Sequence, residues 1–165
     1  MRALSLTRPW PHAILHLGKR IENRSDKRGM PPMCKYRGPL LLHAAKSWDD
    51  GAIPWMIERG LKPLIPTDGT WSGSDAYPAG GIVGRCLVTG HIEPGADGLP
   101  LIACNGLSPD SYAAVNLDLR WWMGSYALVL TDVEPLPFVA CRGALGLWKV
   151  PADVLEALGL SEVTT

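Results

Sequence analysis

At 165 residues with 47% hydrophobic side chains, the chain is long enough for one domain with an ordinary buried core. No apolar run approaches the roughly 18 residues that a membrane span needs, and no charged-then-apolar leader opens the sequence, so a cytoplasmic protein with no membrane partner is expected. Sixteen basic and sixteen acidic side chains cancel, which excludes a uniformly basic or acidic chain.

The cancellation hides a split. Residues 1–46 carry ten Lys and Arg against two acids, a net +8, and the remainder is acidic by the same amount. One electropositive face on an otherwise acidic molecule would draw a phosphate-bearing partner. Four cysteines (Cys34, Cys86, Cys104, Cys141) are widely spaced with no Cys-x-x-Cys, which argues against a zinc knuckle and for reduced thiols. Seven Trp and four Tyr stand against a single Phe. Trp adds a flat stacking face and an N–H donor to the volume that a core needs.

In chain order, residues 3–6 (ALSL) are a short apolar strand. Pro9 supplies a helix-ready φ, and Trp10, Ala13, Ile14 and Leu17 follow at i, i+3, i+4, i+7, one apolar helix face. Gly18 ends that helix. Residues 19–24 (KRIENR) read as extended, placing Arg20, Glu22 and Arg24 on one side with the carboxylate between two guanidiniums. Residues 25–38 are a basic loop. Residues 38–46 (GPLLLHAAK) form a buried strand in which His43 shares a side with Leu41 and Ala45 and reads as a satisfied interior histidine.

Ser47 opens a helix to about Gly60, weakened by Pro54. Residues 62–81 are loop, with Trp71 or Tyr77 as anchors. Residues 81–93 form a strand pair or one long bent strand, with Gly84 and Gly90 at the bends. A turn at 94–100 leads to a helix capped by Ser108 and striped by Tyr112, Val115, Leu119 and Trp122. Residues 126–133 are a strand, 134–138 (EPLPF) an edge or crossover, 139–150 include the final strand, and Pro151 starts a short helix.

The strings ALSLTRPWPHAILHLGKRIENR, YRGPLLLHAAK, GSYALVL and GALGLWKV resemble the ASCH domain (activating signal cointegrator homology) of the PUA-like superfamily. The matching blocks run from about residue 3 to 47 and from about 80 to 150. The resemblance implies an α+β fold, a small PUA-like β-barrel with short helices packed around it. One domain over 1–165 is expected, with an insertion at about 94–120 that the family pattern does not oblige.

The resemblance also places a ligand cleft near the first helix, lined by Lys19, Glu22, Arg24, Lys46, Ser125 and Tyr126. Arg8 and Trp10 stand at the mouth of that helix. Lys and Arg suit phosphate, Glu accepts from exocyclic amines, and Tyr or Trp stacks on a ring. The implied partner is RNA, a nucleotide or a modified nucleoside, with DNA the alternative polymer.

An enzyme is the second reading. Family relatives include an amidohydrolase of N4-acylated cytidine and a metal-independent ribonuclease. The amidohydrolase type keeps Lys19 but has a threonine where this chain has Glu22, and a carboxylate cannot repeat a hydroxyl's role. The ribonuclease type uses a tyrosine, a lysine and a serine. Lys46 and Ser125 match the last two, whereas Leu40–Leu42 fill the strand where the tyrosine belongs. Lys46, Ser125 and Glu22 are therefore the catalytic candidates. A protein-interaction module docking through 94–120 is the third reading. No cofactor or metal is implied: phosphate-loop, dinucleotide and nucleophile-elbow motifs are missing, and His12 with His16 lacks a Glu-x-x-His context.

Overall fold

The computed structural model describes residues 1–24, 31–63, 78–104 and 117–160. Ten regular elements lie among them: β1 (Arg2–Arg8), α1 (Trp10–His16), β2 (Ile21–Asn23), β3 (Gly38–Trp48), α2 (Ala52–Glu58), β4 (Gly81–Pro94), β5 (Pro100–Cys104), β6 (Ala127–Ala140), β7 (Leu147–Lys149) and α3 (Ala152–Ala157). The class is α+β. A seven-stranded mixed sheet has the order β2-β6-β4-β3-β1-β7, with β5 paired to β4. The described residues fall into two compact units. The first draws on Met1–Gly18, Leu40–Arg85 and Glu134–Thr165, the second on Lys19–Pro39 and Cys86–Val133.

In the first unit β1 lies parallel to β3 (Ala3↔Leu41, Leu4↔Leu42) and antiparallel to β7 (Ala3↔Trp148). Leu40, Leu41 and Leu42 are all fully buried. A strand covered on both faces carries such an unbroken apolar run in place of alternation. Ala3, Leu41, Ile82 and Val150 form a core cluster that α3 closes with Val154 and Leu155.

Helix α1 buries Ala13 and Ile14, as its periodicity requires, but stops at His16. Pro9 is its N-cap rather than its first residue, and Pro11 takes the first turn, where no amide donor is needed. Helix α2 starts at Ala52, later than expected. Residues through Trp48 stay in the ladder because Arg8 pairs with Trp48 and the Asp49 amide donates to the Arg8 carbonyl at 2.8 Å. Pro54 thereby falls in the helix's first turn, where it is tolerated.

β4 is one strand of 14 residues. At Gly84 a β-carbon would meet the Leu15 side chain and lie 2.9 Å from the Glu134 carbonyl, so glycine there admits close packing. Residues 134–138 are part of β6 rather than a crossover. Pro135 and Pro137 are two apart, so both missing amides fall on one side of the strand and the other side can still pair.

In the second unit β2 pairs antiparallel with β6 (Glu22↔Leu128), and β4 with β5 (Ile92↔Ile102). The core includes Ile21, Cys34, Cys86, Val88, Ile92, Trp121 and Leu128. β5, a strand that the sequence reading did not assign, follows the 95–99 turn directly. The expected helix has its start, including Ser108, Tyr112 and Val115, outside the described residues; at its far end Leu119–Trp121 is a single 3-10 turn capped by Asp118. Asn23 fastens that turn, donating to the Trp121 carbonyl at 2.8 Å and accepting from the Met123 amide at 2.9 Å. Helical continuation would claim those same backbone groups. Trp71 and Tyr77 also lie outside the described residues. Pro32–Lys35, placed in a basic loop, forms a 3-10 turn that buries Cys34.

Candidate functional site

Gly18, at φ +75°, closes the first unit's opening segment after α1, and the second unit begins with Lys19 and Arg20 ahead of β2. Glu22 is buried between two cations: Lys19 Nζ donates to Oε2 at 2.5 Å, and Arg24 Nη2 lies 3.0 Å from Oε1. Of the two guanidiniums expected to flank it, Arg24 is one of the pair, and Arg20 Nη1 donates to the Lys19 carbonyl at 3.3 Å. Strand alternation begins only at Ile21, so residues 19 and 20 do not follow it, and the i,i+3 lysine reaches the carboxylate instead.

Lys19 is 1% exposed. Burial holds its amine below the usual lysine value, Glu22 pulls it back up, and Arg24 pushes it down further. The triad carries one carboxylate against two cations. Arg24 Nε is buried with no acceptor among the described residues.

Ser125 and Tyr126 approach this cluster through backbone. The Arg24 amide donates to the Tyr126 carbonyl at 2.6 Å, and Trp122 Nε1 to the Ser125 carbonyl at 2.6 Å. The Ser125 hydroxyl lies 3.5 Å from the Tyr126 carbonyl, a partner that cannot take its proton.

The same unit holds a chain of polar groups that sequence reasoning missed. Arg37 Nη2 lies 2.6 Å from His91 Nδ1, and His91 Nε2 lies 2.7 Å from Glu93 Oε1. A guanidinium only donates, so Nδ1 accepts and Nε2 carries the hydrogen to Glu93. The signal was there: His91 and Glu93 are two apart on a strand and share a face. Cys34 and Cys86 offer no nucleophile, since burial raises both thiols, Cys86 to about 12.

In the first unit, Arg8 Nη2 donates to the Lys46 carbonyl at 2.7 Å, and its guanidinium sits 5.7 Å from the Trp48 ring centre. The Trp10 indole donates to Asp49 Oδ2 at 2.9 Å and meets Trp55 edge-on at 5.7 Å. These contacts lock the β1–α1 corner to the end of β3. Lys46 is exposed at the mouth of a pocket. The structure thus gathers Lys19, Glu22 and Arg24 with the Tyr126 backbone in one unit, and Arg8 and Trp10 with the end of β3 in the other.

No family model matches the chain, and no curated protein does. Among solved structures, the chain is similar to the crystal structure of ASCH from Zymomonas mobilis, with a TM-score of 0.45 at 12% identity over 96% of this chain and 92% of that one. A tyrosine-to-phenylalanine mutant of the Zymomonas mobilis protein gives a TM-score of 0.44 at 12% identity, over 96% and 95%.

Proposed function

We propose that this protein is an ASCH-type domain that binds RNA or a nucleotide, with Arg24 taking a phosphate or a base edge. The observation that carries this reading is the buried Lys19–Glu22–Arg24 triad. Two cations around one carboxylate leave a positive charge in a poorly hydrated place, where unpaired charge is costly. An anion would complete the set. Glu22 fixes the guanidinium, so less order has to be imposed on binding. The motif resemblance and the ten-to-two basic excess of residues 1–46 support the same reading.

A second reading, a metal-independent nucleoside amidohydrolase or ribonuclease, is favoured by one observation: the Lys19 amine is buried against the Glu22 carboxylate, a pair positioned to exchange a proton.

The test is binding of a mixed RNA pool and of nucleosides, including N4-acylated ones, in EDTA at 50–200 mM salt. RNA binding should weaken with salt, with a log–log slope of about −2 if some two to three phosphates of a single strand are engaged. Arg24→Gln should weaken it at least tenfold while the fold melts cooperatively. No binding at low salt would refute the proposal. Product formation lost in Lys19→Met or Lys46→Ala would instead establish the enzyme.

A further inference from the structure

The first unit contains an open pocket of about 730 Å³, beneath the turn that follows β6. Its size falls in the range of about 300–1,000 Å³ typical of small-molecule sites. Ser5 and His43 line it, Lys46 and Arg142 bring two cations to it, and Gly143 and Leu145 complete the turn. Among the described residues no carboxylate pairs with Lys46 or Arg142.

His43 is 3% exposed. Its Nε2 lies 3.1 Å from the Cys141 carbonyl, which can only accept, so Nε2 carries the hydrogen and Nδ1 is an acceptor. That Nδ1 is buried without a partner. The interior histidine expected to be satisfied is therefore satisfied on one side only. Its ring is fixed edge-on to Trp148, centres 5.6 Å apart, and the Trp148 indole donates to the Ser5 hydroxyl at 3.1 Å. A buried acceptor in want of a donor is costly unless something supplies one.

The turn reaches this floor because residue 143 is glycine. A β-carbon there would lie 2.5 Å from His43 Cε1 and 2.6 Å from Ser5 Oγ. Lacking one, the chain comes down flush and leaves Arg142 lining the same pocket as Lys46. Leu145 is 98% exposed, an apolar surface with nothing against it among the described residues.

We infer that this pocket binds a nucleoside monophosphate. Its phosphate engages Lys46 and Arg142, and its base lies against Leu145, on the turn that Gly143 lets down over the buried His43 ring. Two cations select an anion, and the apolar remainder of the lining selects a flat organic body over a bare ion. The inference rests on the nucleotide-binding reading above and adds Arg142 and Leu145, which the sequence did not single out as ligand-binding residues.

The test titrates the full chain with the four common nucleoside 5′-monophosphates, inorganic phosphate and the parent nucleosides, by calorimetry in EDTA. At least one monophosphate should bind more tightly than phosphate or its nucleoside. Arg142→Glu and Lys46→Glu, both at exposed positions, should each weaken it at least tenfold. Lys62→Glu, an exposed charge reversal outside the pocket lining, should leave it unchanged. Monophosphate binding indifferent to Arg142→Glu and Lys46→Glu would overturn this inference while RNA binding through Arg24 still stood. Inorganic phosphate binding as tightly as any monophosphate would overturn the base contact. No binding of RNA or any monophosphate by the unaltered chain would overturn both readings.

Discussion

Glu22 is the residue on which the second unit's charge balance turns. Removing the carboxylate as Glu22→Ala strands Lys19 and the half-buried Arg24 without their shared counter-ion. The expected loss is about 3–5 kcal/mol, the usual cost of breaking a buried pair from one side. Urea unfolding would measure it; a loss under about 1 kcal/mol would mean that water already screens the triad. A second residue-scale effect concerns His12, on α1. Burial, with His16 only 4.7 Å away between ring centres, lowers its pKa to about 4. Between that value and the ordinary 6.5, the unfolded chain binds a proton that the folded chain refuses, so stability rises with pH across the window and falls on acidification. The difference in melting temperature between the unaltered chain and His12→Phe should therefore shift against the unaltered chain from pH 7 to pH 5. A pH-independent difference would place His12 in water. The sequence set Arg24 beside Glu22 and His16 four positions from His12, but it did not bring Lys19 to the carboxylate. Glu22's lysine comes from outside the strand period, and the Arg37–His91–Glu93 chain joins residues 54 positions apart.

At the scale of elements, apolar patterning revealed most of the architecture. Residues 3–6, 38–46 and 81–93 lie within strands, as does all but the first residue of 126–133, and the Pro-Trp segment is a helix. What patterning could not show is where a hydrogen bond from afar extends or stops an element. β3 continues to Trp48 because Arg8 lies beside it, and the 119–121 turn is held by Asn23 from another strand. Pro135 and Pro137 suggested a break in β6, whereas their spacing of two spares one side of the strand. Gly84 illustrates the converse, a position legible as special whose reason lies in a distant carbonyl. Gly84→Ala should cost about 1–3 kcal/mol, the range for overpacking, because the new methyl meets backbone as well as the Leu15 side chain. Thermal melts would check this, and an unchanged midpoint would mean that β4 relaxes freely there.

At the scale of the molecule, the charge split is a property of the N-terminal 46 residues, yet those residues contribute to both compact units. A blocky sequence charge need not become a single patch, and each unit has its own cation-bearing candidate: Arg24 in one, Lys46 with Arg142 in the other. Neither unit is a continuous stretch of chain, since the first needs three segments and the second two. No single cut releases either one, so the two candidates are separable by point substitution rather than by truncation. The candidate sites were legible as residue types. The pocket was not, because His43 and Arg142 are 99 positions apart and only the return of the chain beside β3 unites them.

The pairing of β1 with β7 bears on how the protein is made. β1 is synthesised well before the strand that covers its outer side, which follows some 145 residues later. Parallel β3 can dock on one side early, but until residues 147–149 leave the ribosome the other side of β1 is a bare row of amides and carbonyls. Such an edge pairs readily with a neighbouring chain. Arg2 and Arg8, at the two ends of β1, put charge where an unwanted strand would begin to align. The same basic residues that bias the N-terminal segment toward polyanions thus guard the nascent chain while its last partner is still missing.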